Sequence, residues 1–248
     1  MRLDIRLSET KDITRNKAQS FIKDGLVTVD GKIIIKPSFE VNGNEIIELK
    51  EEKKVHWVSR SAGKLDGFLE QLQIQNIELQ VAGARCLDVG SSTGGFTQVL
   101  IQRGANHVDA VDVGTDQLHS TIKTHPRVQS HEQIDIRNFK SESIYDIIVC
   151  DASFISLEDI LASILKFANE DTNSILLWKP QFEVGRKNLR KTGVPKDEET
   201  VKKKQLEWEF FLCENNCKIL QKEKSTVLGE AGNVEWLYLI KKMEKMEK

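Results

Sequence analysis

The sequence predicts an α/β chain: a doubly wound, mostly parallel sheet of seven strands, preceded by a small α+β unit. The stretch from Arg85 to Gly104 is the first reason. Cys86, Leu87 and Val89 form a short buried run, and Gly90 to Gly95 form a turn of small residues. Phe96, Val99, Leu100 and Ile101 then recur at helical spacing until Gly104 stops them. The second reason is that strand-length apolar runs alternate with helical stretches to the end of the chain. That alternation is how a parallel sheet with helices on both faces is written.

Each element has its own signal. Leu3, Ile5 and Leu7 suit a strand by alternation, although Leu3 and Leu7 also share a helix face. Thr14 caps a helix with Ala18, Phe21 and Ile22 on one side and Gly25 past its end. Leu26, Val27 and Val29 make a strand, Asp30-Gly31 a hairpin turn and Ile33 to Ile35 the return, while Val41 with Ile46 to Leu49 closes the unit. Lys50 to Lys54 is a charged connector, which sets the domains at residues 1–54 and 55–248. In the second domain, strands at Cys86–Val89 and Val108–Val111 are followed by one near Val128 and one from Asp146 to Cys150. A helix from Leu157 to Phe167 and a strand from Ser174 to Trp178 come next. A helix from Glu198 to Glu214 and strands near Ile219 and from Glu235 to Ile240 complete the pattern, and the Lys-Met-Glu tail reads as frayed.

Composition limits the partners. Of 248 residues, 39% are hydrophobic, enough for a core, and a net charge of −2 means that any basic face for nucleic acid must be local. Cys86, Cys150, Cys213 and Cys217 lack the spacing and the histidines of a zinc site, so no metal is expected and reduced thiols fit. The opening Met-Arg-Leu-Asp-Ile-Arg has no apolar signal core, and no apolar run approaches the roughly 20 residues that span a bilayer. A cytoplasmic, monomeric protein with no membrane contact is the expectation.

In an open α/β sheet, ligands bind beyond the carboxyl ends of the strands. That rule singles out Asp88, Asp112, Asp151 and Lys179, each directly after or within a buried apolar run. The turn Gly90–Gly95, with backbone N–H groups at a helix start, is a cofactor cradle. Its Gly-x-x-x-Gly-Gly spacing suits a dinucleotide poorly, and Asp112 stands where an acid binds ribose hydroxyls. Asp151 and Lys179 end neighbouring strands; at 4 Å such a pair attracts by about 4 kcal/mol in a medium of effective dielectric near 20.

Lys64, Asp151, Lys179 and Glu235, in that order, resemble the Lys-Asp-Lys-Glu set of S-adenosylmethionine-dependent ribose 2′-O-methyltransferases. Cys-Leu-Asp-Val-Gly-Ser-Ser-Thr-Gly-Gly-Phe-Thr, Ala-Val-Asp-Val-Gly, Asp-Ala-Ser-Phe-Ile-Ser-Leu, Lys-Pro-Gln-Phe-Glu-Val-Gly-Arg and Gly-Asn-Val-Glu resemble the TlyA family in particular. These are ribosomal-RNA cytidine 2′-O-methyltransferases, also called haemolysins. The first 50 residues are similar to the small S4 RNA-binding module, through Thr-Arg-Asn-Lys-Ala and Gly-Leu-Val-Thr-Val-Asp-Gly-Lys. The departures are serines in the glycine turn, where relatives carry alanine, and Ala152 inside the Asp-x-Ser-Phe motif.

The resemblance implies a Rossmann-like methyltransferase sheet, S-adenosyl-L-methionine as cofactor and ribosomal RNA or a ribosomal subunit as partner. It implies cofactor contacts from Asp88, Gly90, Ser91, Ser92, Gly94, Gly95, Phe96, Asp112, Val113, Asp135, Ile136 and Asp151. RNA contacts would come from Arg2, Arg6, Arg15, Lys17, Lys36, Arg60, Phe154, Arg186 and Arg190. Those in the basic stretch Gly185–Lys196 would lie on a mobile loop ordered by RNA, with an inert solvated loop equally open. For Phe154, stacking on a base and burial in the core both stand. In the implied chemistry Lys179 assists or accepts the proton of the ribose hydroxyl, Lys64 and Asp151 set its ionisation and orient the ribose, and Glu235 holds the second lysine or the 2′-oxygen region. The chain begins and ends close to its two domains, like the family form associated with large-subunit rRNA. A non-catalytic RNA-binding assembly factor and a dinucleotide-dependent oxidoreductase remain as alternatives.

Overall fold

The computed structural model describes residues 1–11, 13–23, 25–49 and 56–244. The connector Lys50 to Lys54 and the end of the Lys-Met-Glu tail lie outside the described residues. The chain divides into two compact units, Met1–His56 and Trp57–Lys248.

The first unit contains helices α1 (Leu3–Thr10) and α2 (Arg15–Lys23) and strands β1 (Val27–Val29), β2 (Lys32–Ile33) and β3 (Ile47–Leu49). The helical alternative for the first segment prevails over the strand. Leu3 and Leu7 bury on one face of α1, against Ala18, Ile22, Val27, Val29 and Val41. Asp30 and Gly31 both take positive φ, 48° and 75°, which gives the two-residue turn the twist that joins β1 to β2. The return strand is shorter than expected: Ile35 stands outside β2 and is exposed. β1 is central, antiparallel to both neighbours.

The second unit holds α3 (Ser61–Ile74), β4 (Arg85–Val89), α4 (Gly95–Gln102), β5 (His107–Val111), α5 (Ser120–Lys123), β6 (Val128–His131), β7 (Ile147–Cys150), α6 (Leu157–Ile164) and β8 (Asn173–Trp178). It ends with α7 (Pro180–Glu183), α8 (Glu198–Glu214), β9 (Cys217–Lys224) and β10 (Trp236–Lys242). These strands form one seven-stranded sheet in the order β6-β5-β4-β7-β8-β10-β9, parallel except for β10, which runs antiparallel to both β8 and β9. Both faces are covered. Ile148, Cys150, Leu176, Trp178, Tyr238 and Ile240 enter one core with α6 and α8, and their alternates Ile147, Val149, Ile175, Leu177, Leu237 and Leu239 enter the other with α3 and α4. Burial on both faces is why these strands read as unbroken apolar runs.

Two features of the topology place the site. After β4 the chain moves outward to β5 and β6 and then returns to β7 on the other side of β4. A crevice therefore opens where β4 and β7 diverge. The reversal of β10 sets Trp236 opposite Trp178, so the residue before β10, Glu235, comes beside the residue after β8, Lys179.

Candidate active site

A cavity of about 280 Å³ lies at the carboxyl ends of β4, β5 and β7. Among its lining are Gly90, Ser92, Asp112, Val113, Asp135, Ile136, Asp151 and Phe154. Gly90 has φ 78°, and a Cβ there would meet the Ala152 backbone at 2.9 Å. Only glycine lets the β4 and β7 loops approach this closely. Asp112 accepts hydrogen bonds from the Ser92 N–H at 2.8 Å and the Gly114 N–H at 2.6 Å, which fixes its carboxylate at the cavity wall. Asp135 is gripped by Arg137 through Nε at 2.9 Å and a second guanidinium nitrogen at 2.6 Å, and the Arg137 side chain holds its carboxyl below the usual range.

Five of the expected cofactor residues lie outside the cavity lining. Asp88 is fully buried, accepts from the Thr97 hydroxyl at 2.6 Å and leaves its Oδ1 without a partner, and burial pushes its carboxyl up to about 7. Phe96 is 2% exposed and packs in the α3/α4 core rather than facing the cleft. Gly94 (φ 93°) turns the chain into α4 beneath Leu118, and Gly95 gives room to the hydroxyls of Ser59 and Ser61. Ser91 is buried and absent from the cavity lining.

Beside the cavity two ion pairs meet. Lys179 Nζ lies 2.6 Å from Asp151 Oδ1 and donates to the Ser153 hydroxyl at 2.7 Å and the Asp151 carbonyl at 3.2 Å. Lys64 Nζ, on α3, lies 2.6 Å from Glu235 Oε2. Lys64, Lys179 and Glu235 are all buried, so pairing rather than solvent neutralises them. The two pairs form one electrostatic group: burial pushes the Asp151 carboxyl up, Lys179 and then Lys64 oppose that, and Glu235 adds to it. Four side chains spread over 171 positions of sequence are thus brought together. Gly229 packs directly on the Glu235 carboxylate.

Sequence reasoning missed Gln181, which donates to Glu235 Oε1 at 2.8 Å, and Ser153 as a partner of Lys179. Both lie inside quoted motifs, within two positions of a charged member, and that proximity was the available signal.

The RNA-facing expectations divide. Phe154 is 89% exposed, not core, with φ 65° and its ring 5.2 Å from that of Phe182. Arg60, Arg186 and Arg190 are exposed. The stretch Gly185–Lys196, expected as a loop that RNA orders, is closed on itself. Arg190 and Val194 are hydrogen-bonded through the backbone at 2.8 Å, Lys196 N donates to Asn188 O, and Leu189 bridges Pro195. In the first unit Lys17 and Lys36 are exposed and Arg6 is half-buried. Arg2 and Arg15 are committed to the buried Asp4, each at 3.0 Å, with outward faces still exposed. Burial would raise the Asp4 carboxyl, but hydrogen bonds from Arg2, Gln19 and Arg15 outweigh it and bring it down to about 2.

Comparison with known proteins agrees with this layout. Residues 57–242 match the FtsJ-like methyltransferase family and residues 1–47 the S4 domain. A 23S rRNA (cytidine-2′-O)-methyltransferase TlyA from Campylobacter jejuni is 37% identical over 96% of this chain and 98% of its own length. The chain belongs to the TlyA family of FtsJ-like methyltransferases. A further TlyA, the 16S/23S rRNA (cytidine-2′-O)-methyltransferase of Mycobacterium tuberculosis, is 38% identical over 90% of this chain and 82% of the relative. A solved hemolysin-type chain from Streptococcus thermophilus is 31% identical, with a TM-score of 0.70 over 98% of this chain and 89% of the other. As a TlyA-family methyltransferase with an S4 domain, the protein is an RNA-binding enzyme. Among its described residues no helix is long and apolar enough to cross a membrane, and no group of three or more His, Cys, Asp or Glu is placed to hold a metal ion.

Proposed function

We propose that this chain transfers a methyl group from S-adenosylmethionine to the ribose 2′-hydroxyl of a cytidine in ribosomal RNA, large-subunit rRNA in the first instance. The observation that carries the reading is the meeting of the Lys64–Glu235 and Lys179–Asp151 pairs beside the cavity. The cavity residues fit the cofactor. A glycine at positive φ leaves the backbone open, and Asp112 is aimed to accept from ribose hydroxyls. Ile136 and Val113 offer apolar surface beside Asp135, and Asp151 supplies a carboxylate for an ammonium. When bound, S-adenosylmethionine supplies a methyl group activated by a sulfonium.

The chain's own task is then to hold the ribose oxygen in line and remove its proton. Lys179, paired as an ammonium with Asp151 and Ser153, must first give up its own proton; it then takes the proton of the 2′-hydroxyl and returns to that paired ammonium. Lys64 faces the ribose oxygen with its cationic head, fixed by Glu235, which Gln181 holds from the other side. Phe154 offers its exposed ring to the base, and Arg60, Arg186 and Arg190 engage phosphates, as positioning contacts rather than sequence readers. The S4 unit adds Arg2, Arg6, Arg15, Lys17 and Lys36. The reading also has the protein acting as a cytoplasmic monomer on rRNA or a ribosomal subunit. The large subunit is favoured because the Campylobacter relative is named for 23S rRNA alone, whereas the mycobacterial relative is named for both. Mapping 2′-O-methyl groups in rRNA from cells with and without the gene tests it. One cytidine in 23S rRNA should lose its methyl group, and unchanged maps would refute the assignment.

A further inference from the structure

The segment 179–183, Lys-Pro-Gln-Phe-Glu, mates with the loop 151–157, Asp-Ala-Ser-Phe-Ile-Ser-Leu, along its length. Lys179 meets Asp151 and Ser153, and Phe182 lies against Phe154. Glu183 closes the far end: its Oε2 accepts from the Ser156 hydroxyl at 2.6 Å and its Oε1 from the Leu157 N–H at 3.0 Å. Ser156 is itself the N-cap of α6, accepting from the Glu158 N–H at 3.2 Å, so Glu183 anchors the point where the loop becomes helix. Between the two anchors the loop carries Phe154 in a left-handed backbone conformation with its ring turned out to solvent. An aromatic residue adopts that conformation only where its surroundings over-determine it.

We infer that Glu183 is a positioning residue for the RNA substrate, tying loop 151–157 to the end of β8 so that Phe154 is presented outward and Ser153 stays on Lys179. The inference deepens the proposed function and rests on it. Glu183 does not itself line the cavity, so its influence should fall mainly on how the nucleoside is held. Burial raises the Glu183 carboxyl, and the bonds from Ser156 and Leu157 oppose that rise.

The experiment uses the full chain and the variants Glu183→Gln, Glu183→Ala, Ser156→Ala, Phe154→Ala and the double variant Glu183→Ala/Phe154→Ala. Hydrogen exchange at Leu157 reports the anchor without any turnover. Binding of S-adenosylmethionine by calorimetry reports folding of the cavity, and methyl transfer to rRNA gives kcat and KM. Expected are faster exchange at Leu157 in both Glu183 variants and cofactor affinity within about twofold of wild type. The loss in kcat/KM for RNA should be about 10- to 100-fold, most of it in KM. Phe154→Ala should add little once Glu183 is gone. Unchanged exchange at Leu157, unchanged kcat/KM in Glu183→Ala with exchange accelerated, or fully additive losses would each overturn the inference. Absence of methyl transfer by the wild type to any rRNA would sink the functional reading instead, with the exchange result still judging the anchor.

Discussion

Replacing Asp88 by asparagine isolates the energy stored beneath the cofactor turn. Asp88 is fully buried, is hydrogen-bonded by Thr97 and has an Oδ1 with no partner. Moving its carboxyl from 3.8 to about 7 corresponds to a ceiling of about 4 kcal/mol between the protonated and ionised forms. The sign follows from linkage. The folded state holds the proton more tightly than the unfolded chain, so folding is penalised above pH 3.8 and the penalty is complete above about pH 7. Asparagine keeps the acceptor for Thr97 and removes that penalty, but it places an NH2 where Oδ1 now has no partner, a cost of about 1–3 kcal/mol. The net expectation is a crossover: Asp88→Asn is less stable than wild type near pH 4–5 and more stable, by about 1–3 kcal/mol, near pH 8. Urea unfolding of both proteins at several pH values measures it. A difference between them that does not vary with pH would refute the reasoning.

Three further expectations follow from packing and charge. Gly229→Ala puts a Cβ into the Glu235 carboxylate. Turnover should fall by about 100-fold with cofactor affinity little changed, which single-turnover kinetics and calorimetry check. Reversing charge at Arg186 and Arg190 should weaken RNA binding and lower the slope of log affinity against log salt by about 0.7 for each phosphate no longer neutralised, read from titrations at several ionic strengths. Asp4→Asn removes a carboxylate whose depressed titration contributes stability that is present above about pH 4 and lost as pH falls toward 2. At pH 7 the first unit should lose about 1–2 kcal/mol, discounted because Arg2 and Arg15 are half-exposed, and its amides should exchange faster.

The sheet was legible because its strands are buried on both faces and its turns carry glycine. Strands β7, β8 and β10 fall within a residue or two of where the apolar runs lie. Helix α3 was not legible. Gly63 and Gly67 interrupt its pattern, and their purpose is tertiary: a Cβ on Gly67 would meet the Thr226 hydroxyl at 2.6 Å and one on Gly63 would crowd Val227. At one turn, α7 is too short to show a period, although it carries Gln181 and Glu183. The neighbouring of Lys179 and Glu235 is a matter of register, fixed by the reversal of β10, and no local pattern encodes it. No sequence pattern singles out Asp4, and only packing reveals that two arginines and a glutamine converge on it. For Phe154, both core and exposed placements were open until its left-handed backbone fixed the ring outward.

In the proposed function Lys64, Asp151, Lys179 and Glu235 act as one proton-handling unit on a ribose. The direct measurement is incubation of rRNA and ribosomal subunits with the protein and S-adenosylmethionine labelled in the methyl group, followed by mass spectrometry of the nucleosides. Label is expected on the 2′-oxygen of cytidine, lost in Lys179→Met and in Lys64→Met while both variants still bind the cofactor. Label on a base, or undiminished 2′-O-methylation by either variant, would contradict it.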